Sequence, residues 1–308
     1  MSVCTYIYCR APLPEDSHAC SVCGHPRDPA LLRDPSFLET SRPQGLPPAI
    51  LDMHQIVPRA PGVLDFQLHA MDALGISRAL LQSAPDEAAS LCGNDDLRDL
   101  AATHPGRFWA SHFVDPRHAG ALASLERLAD QGVKVAKLLP PAGYRPDDPD
   151  FDSFWLAMQE LELVAMVHTG FITARHKKEE ARAGVYMNST FANPLFLDRP
   201  ARLAPEVPFL LCHLGGAIWP EEAAQMVTQH DNVWGDVSGF GVFALQRLLA
   251  TGTRLDWNKV FWGNDAPPFA YPMNLRLHLA ALKRAGAEEL AEGLLFENGQ
   301  RFAERFLA

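Results

Sequence analysis

From residue 49 onward, short apolar and β-branched runs alternate with amphipathic stretches, and this rhythm restricts the chain to a parallel sheet covered by helices. Eight runs are predicted as strands, at 49–57, 78–84, 108–115, 133–140, 163–170, 209–215, 232–239 and 260–267. Helical patterns lie between them at 64–74, 95–103, 119–131, 152–162, 221–230 and 243–251. Eight such strands close into a (β/α)8 TIM barrel, an α/β fold that typically takes about 250 residues. An open doubly wound sheet is the competing architecture, but no Gly-rich phosphate loop follows any of the strands. The predicted division is a zinc-ribbon-like extension at 1–30, a Pro- and Asp-rich linker at 31–48, and the barrel at 49–308.

The 308 residues carry 37 acidic and 27 basic side chains, a net charge of −10. Neutralising phosphate backbones takes a concentrated excess of Lys and Arg, so no nucleic-acid partner is expected. No apolar run approaches the roughly 18 residues of a membrane span. The N-terminus has Cys, Pro, Glu and Asp where a signal peptide would have its apolar centre. These features predict a cytoplasmic protein without a membrane partner, acting on a small-molecule substrate.

Four of the six cysteines crowd into the first two dozen residues, as Cys4-x4-Cys9-x10-Cys20-x2-Cys23. A Cys-x2-Cys turn aims two thiolates at one ion, and Gly24 can take the positive φ that such a turn requires. The spacing predicts a structural Zn²⁺ on Cys4, Cys9, Cys20 and Cys23, with His18 or His25 as substitutes in the looser first half. So short a segment buries little core by itself, so its order depends on the metal. A four-ligand site leaves no open position for substrate.

Polar groups recur at strand C-terminal ends, where a barrel carries its active site. The first strand ends Asp52-Met53-His54-Gln55-Ile56, the fifth Val167-His168-Thr169-Gly170, the sixth Cys212-His213-Leu214-Gly215-Gly216, and the eighth Gly263-Asn264-Asp265-Ala266-Pro267. One such histidine alone is ordinarily a hydrogen-bonded core residue. Three of them with one carboxylate, each ending a different strand, converge on a metal-type mouth. Lys137, at the end of the fourth strand, is expected to face substrate. Arg175, in the irregular stretch after the fifth strand, is a candidate for a substrate carboxylate, beside Lys177, Lys178 and Arg182. Cys212 adjoins His213, but adjacent strand residues point to opposite faces, which argues against a nucleophile pair.

In these segments, and in Glu297-Asn298-Gly299-Gln300-Arg301-Phe302 near the C-terminus, the chain resembles the amidohydrolase-related branch of the amidohydrolase superfamily, which includes decarboxylases of carboxymuconate and hydroxybenzoate type. The resemblance spans the whole barrel. It implies that His54, His168 and Asp265 are metal ligands and that His213 contacts the reacting oxygen or the proton-transfer network. It also makes a homodimer an expectation. The usual first-strand pattern is His-x-His, and here the second position is Ile56. Three protein ligands remain, which suits one catalytic ion, Zn²⁺ or Mn²⁺.

The resulting expectation is a metal-dependent hydrolase of a small carbonyl compound, such as a lactone or amide, with Asp265 taking the proton of water and His213 steadying the oxyanion. The alternative is a non-oxidative decarboxylase of an aromatic or unsaturated acid, which Ile56 favours by freeing a coordination position. A third reading, a non-catalytic binding protein on the same scaffold, rests on the lost imidazole alone.

Overall fold

The computed structural model describes residues 2–9, 11–13, 17–85, 90–172 and 186–308. Two two-residue strands, β1 (Ser2–Val3) and β2 (Pro12–Leu13), pair antiparallel in the N-terminal segment. Each of the eight predicted runs then contributes a strand: β3 (Ile50–Gln55), β4 (Ile76–Leu81), β5 (Phe108–Phe113), β6 (Val135–Leu138), β7 (Val164–His168), β8 (Phe209–Cys212), β9 (Val233–Asp236) and β10 (Val260–Phe261). They lie side by side in sequence order, every neighbouring pair parallel.

The ring is completed where the last strand meets the first. The backbone N–H of Met53 donates to the Trp262 carbonyl at 3.1 Å, and that of Asp265 to the His54 carbonyl at 2.7 Å. Gly263 permits this approach, because a Cβ there would stand 2.6 Å from the Cβ of His54. Only a residue without a side chain fits the seam.

Strand alternation sorts side chains into two layers. Ile50, Ala79, Ala136, Ala165, Val167, Phe209, Leu211 and Val233 belong to the main core beneath the helices. Leu51, Met53, Leu80, Val135, Val164, Met166, Leu210, Trp234 and Phe261 form a second buried cluster in the barrel interior. Phe302 and Ala303 of the C-terminal helix Asn298–Phe306 join that interior cluster, closing the end away from the strand C-termini. Along the same inward rows, the next residues are Lys137, His168, Cys212 and Asp236. Apolar layers thus give way to polar groups at the mouth.

Helices cover the outside at Val63–Leu74, Asn94–Thr103, Ala121–Asp130, Asp152–Glu160, Asp198–Leu203, Pro220–Gln229, Gly241–Thr251 and Tyr271–Ala285. The last begins in a proline-rich stretch and has Pro272 in its first turn, where the missing N–H costs no hydrogen bond. Within the stretch predicted as a linker, Pro35–Thr40 forms a short helix capped by Asp34, whose carboxylate accepts the Ser36 N–H at 2.9 Å. Its Leu38 is fully buried in the main core. Among the described residues no helix is long and apolar enough to cross a membrane.

Candidate active site and metal centres

The fold gathers His54, His213 and Asp265 at the strand C-terminal ends, with ligand atoms within 4.8 Å of one another. His54 Nε2 lies 3.6 Å from Asp265 Oδ1, and His213 Nδ1 lies 3.8 Å from Asp265 Oδ2. The rings of His54 and His213 stack at 5.0 Å. His168 stands edge-on to His213 at 4.9 Å, outside that closest group. Its Nε2 is buried without a hydrogen-bond partner. A buried nitrogen with no partner is costly unless a ligand or ion meets it.

Asp236, at the end of β9, organises this cluster from below. Its Oδ2 takes the Nδ1 hydrogen of His54 at 2.9 Å, while its Oδ1 accepts the backbone N–H groups of His213 and Ser238, each at 2.9 Å. Despite full burial, the neighbouring His54 and His213 and the Ser238 hydroxyl hold this carboxyl far below the usual range. With its Nδ1 hydrogen given to Asp236, His54 turns Nε2 toward the mouth, where the Gln82 carbonyl oxygen and Asp265 also face it. A bare ring nitrogen and two oxygen acceptors cannot satisfy one another. A second proton on His54, a metal ion among the three, or a Gln82 amide turned to present its NH2 resolves the conflict. Burial opposes charge on His54, but Asp236, Cys212 and Asp265 outweigh it and hold its pKa well above the ordinary histidine value.

His213 is set differently. Its Nδ1 faces the Ser238 carbonyl at 3.1 Å, and a carbonyl can only accept, so the hydrogen resides on Nδ1 and Nε2 carries a lone pair. Burial holds His213 below the ordinary histidine pKa, and burial with the adjacent His213 and Lys137 holds His168 lower still. Burial thus favours the neutral form of both rings. His213, Leu214 and Asp265 all have positive φ, 64°, 45° and 43°. That turn breaks strand alternation after β8. His213 therefore turns inward beside Cys212, whose thiol already faces the interior in the strand register and accepts from the buried Lys137 Nζ at 2.9 Å.

A cavity of about 980 Å³ opens above these groups, lined by Ile56, Gln82, Lys137, His168, His213 and Asp265 among others. Lys137 lies in the cavity wall, and its nearest partner is a thiol. Arg175, with Lys177, Lys178 and Arg182, lies outside the described residues. Asp236, Ser238 and Gln82 were not singled out from the sequence, though each is a polar residue at or just beyond a strand C-terminus, the signal that marked the others. Tyr8 also lines the cavity, and nothing local in the sequence points to it.

The second centre is the N-terminal knuckle. Cys4, Cys9, Cys20 and Cys23 bring their sulfurs within 4.8 Å of one another, with Cys4–Cys23 at 3.6 Å and Cys9–Cys20 at 3.7 Å. A tetrahedron of metal–sulfur bonds near 2.3 Å has edges of about 3.8 Å, close to both separations. The Gly24 turn has φ 77°, and the His25 N–H points at Cys23 Sγ from 3.4 Å. Burial pushes the Cys4 thiol up to about 11 and Cys23 higher. At Cys20, burial is outweighed by the backbone N–H groups of Cys23 and Val22, and its pKa is lowered. Four sulfurs enclosed in this way could hold one metal ion. Neither His18, which is exposed, nor His25, stacked on Tyr6 at 5.9 Å, belongs to the group.

Eight parallel strands ringed by helices, with imidazoles and a carboxylate gathered at the mouth, define a TIM-barrel enzyme of the histidine–carboxylate type. The chain belongs to the amidohydrolase family, whose profile matches residues 47–302. No curated protein sequence matches it significantly. Similar solved structures include an uncharacterised TIM-barrel protein from Bordetella bronchiseptica, 16% identical, covering 83% of this chain and 99% of its own, with a TM-score of 0.61. A 2,6-dihydroxybenzoate decarboxylase from Rhizobium is 16% identical over 84% of this chain and 99% of its own, with a TM-score of 0.56. A proposed 2-pyrone-4,6-dicarboxylic acid hydrolase from Pseudomonas putida is 17% identical over 83% and 97%, with a TM-score of 0.52. At these identities the likeness establishes the fold.

Proposed function

We propose that this protein is a metal-dependent hydrolase of a small carboxylated carbonyl compound, a lactone or amide. The observation that carries this reading is the Asp265 carboxylate, held between His54 and His213 with its side chain 21% exposed toward the cavity. The donor set fits a divalent ion: a tautomer-fixed His54 Nε2, the unpartnered His168 Nε2 and an Asp265 oxygen would hold Zn²⁺ or Mn²⁺. When bound, such an ion lowers the pKa of water and polarises a carbonyl. Zn²⁺ suits the sulfur-only knuckle.

The chain's own residues then divide the proton work. Asp265 takes the proton of the attacking water through the oxygen turned to the cavity. His213 is neutral with an open Nε2, so it accepts and later returns a proton; this tautomer suits a proton carrier better than the oxyanion donor read from the sequence. Asp236 and Ser238 keep both imidazoles in register. Lys137, buried in the wall, supplies positive charge toward a substrate carboxylate.

Decarboxylation is the second reading, favoured by Ile56, which lines the cavity where the family pattern has an imidazole and so leaves room for a chelating acid. The two separate in one assay. Metal-loaded protein is offered 2-pyrone-4,6-dicarboxylate and 2,6-dihydroxybenzoate, and ring opening and CO₂ release are followed in parallel. Ring opening without CO₂ is expected; CO₂ release from the benzoate replaces hydrolysis with the second reading.

A further inference from the structure

The two tyrosines between Cys4 and Cys9 reach the same short segment of the barrel from two sides. Tyr6 OH donates to Asn274 Oδ1 at 2.5 Å, and Asn274 Nδ2 donates to the Asn264 carbonyl at 2.8 Å and to Asn264 Oδ1 at 2.7 Å. Tyr8 OH points at the carbonyl of the next residue, Asp265, from 3.4 Å, and its ring lies edge-on to Phe240 at 5.1 Å in the cavity wall. Both tyrosines are buried, in one apolar cluster with Cys4, Cys20, Cys23 and Ala266. On the far side of the knuckle, the Arg276 guanidinium fills the space beside Gly24.

Asp265 needs this support. Its φ of 43° is a left-handed conformation that a residue with a side chain holds only when its surroundings impose it. On one side the seam with His54 fixes its N–H. Its carbonyl and its preceding residue are met by the knuckle.

We infer that the N-terminal knuckle is a working part of the active site: metal on Cys4, Cys9, Cys20 and Cys23 seats Tyr8 as a wall of the substrate cavity and as a positioning residue for Asp265. The inference rests on the reading of the barrel mouth as the catalytic site. A segment of this size has too little apolar surface to order itself, so the ion supplies the rigidity with which the tyrosines press on the barrel. Substrates that fit are bounded on one side by a phenol ring and by Phe240, a surface suited to a planar, unsaturated ring.

The test is amide hydrogen exchange on the full-length, zinc-loaded protein, with zinc measured by elemental analysis. Cys20→Ser with Cys23→Ser should remove about one metal equivalent and speed exchange at 239–241 and 264–270 by about tenfold or more, leaving 108–113 at the wild-type rate. Tyr8→Ala leaves the sulfurs in place and should keep the zinc while loosening the same two segments; Tyr8→Phe, which retains the ring against Phe240 but not the hydroxyl on the Asp265 carbonyl, should restore protection at 239–241 and leave 264–270 loosened. Should the double cysteine variant fail to fold, the tyrosine pair decides. Wild-type exchange at both segments in Tyr8→Ala, or in a folded double variant that has lost its zinc, overturns the inference. Turnover without this coupling overturns the role of the knuckle alone, whereas coupling in a protein that turns over neither test compound overturns the functional reading alone.

Discussion

The sulfur knuckle and the barrel mouth both have the shape of a metal centre, yet they are assembled in opposite ways. In the knuckle four like ligands come from one short stretch of chain, and two backbone turns bring them together. In the mouth, unlike side chains arrive from separate strands and are oriented by the buried carboxylate of Asp236. The first is closed and suited to holding structure; the second keeps a cavity beside it and neutral imidazoles ready for protons. The difference teaches that a closed centre can be specified locally, whereas an open one must be paid for by the fold around it, down to a glycine at the seam and left-handed turns at His213 and Asp265.

That contrast can be broken most decisively at Asp265. Asp265→Asn should lower turnover about 10²- to 10⁴-fold, the usual worth of a placed acid–base group, without removing zinc from the knuckle. Steady-state kinetics with elemental analysis on the same sample checks it, and unchanged turnover places proton transfer elsewhere. A smaller effect is expected at Asp236→Asn. The His54 ring loses its fixed tautomer, and metal affinity at the mouth should fall about 10- to 100-fold by competitive chelator titration, with the knuckle unaffected. Equal weakening at both centres would erase the distinction drawn between them.

The smallest effect concerns a second buried carboxylate. Asp52 accepts the N–H groups of His54 and Asn264 and the hydroxyl of Tyr271, but burial outweighs these bonds and the nearby His54 charge and pushes it up to about 6. The folded protein therefore keeps this proton at pH values where the unfolded chain, with a carboxyl near 3.8, has lost it. Its contribution is fully favourable below 3.8 and is lost as pH rises through about 6. In urea melts this gives a slope of about 1 kcal/mol per pH unit between the two values, which Asp52→Asn should flatten. An unchanged slope would show that the proton resides elsewhere.

Much of the mouth was legible because the rule that finds it is positional: polar residues at strand C-termini. His54, His213 and Asp265 obey it and lie together, with His168 against His213, whereas the resemblance implied His168 in the inner set and His213 beside it. Asp236 and Gln82 obey it too, but an isolated acid or amide has no partner spacing to distinguish it. Predicted strands ran long at their C-terminal ends, notably 209–215 and 260–267, because these mouth residues leave the ladder to turn their side chains inward, and side-chain pattern does not report φ. The helix Tyr271–Ala285 has no counterpart among the predicted helical patterns; Pro272 sits in its first turn, where a helix tolerates it. The knuckle was plain from Cys spacing. Its docking was not, because Tyr8 and Asp265 are neighbours only once the barrel is closed.

The seam between His54 and Asp265 also dictates when the protein can begin to act. His54 leaves the ribosome roughly 210 residues before Asp265, an interval of roughly 10 to 40 s at about 5–20 residues per second. Until then the nascent chain carries these imidazoles without Asp265 beside them. The bond that closes the ring also delivers Asp265, so a chain that ends short of this seam lacks the carboxylate on which the proposed chemistry rests.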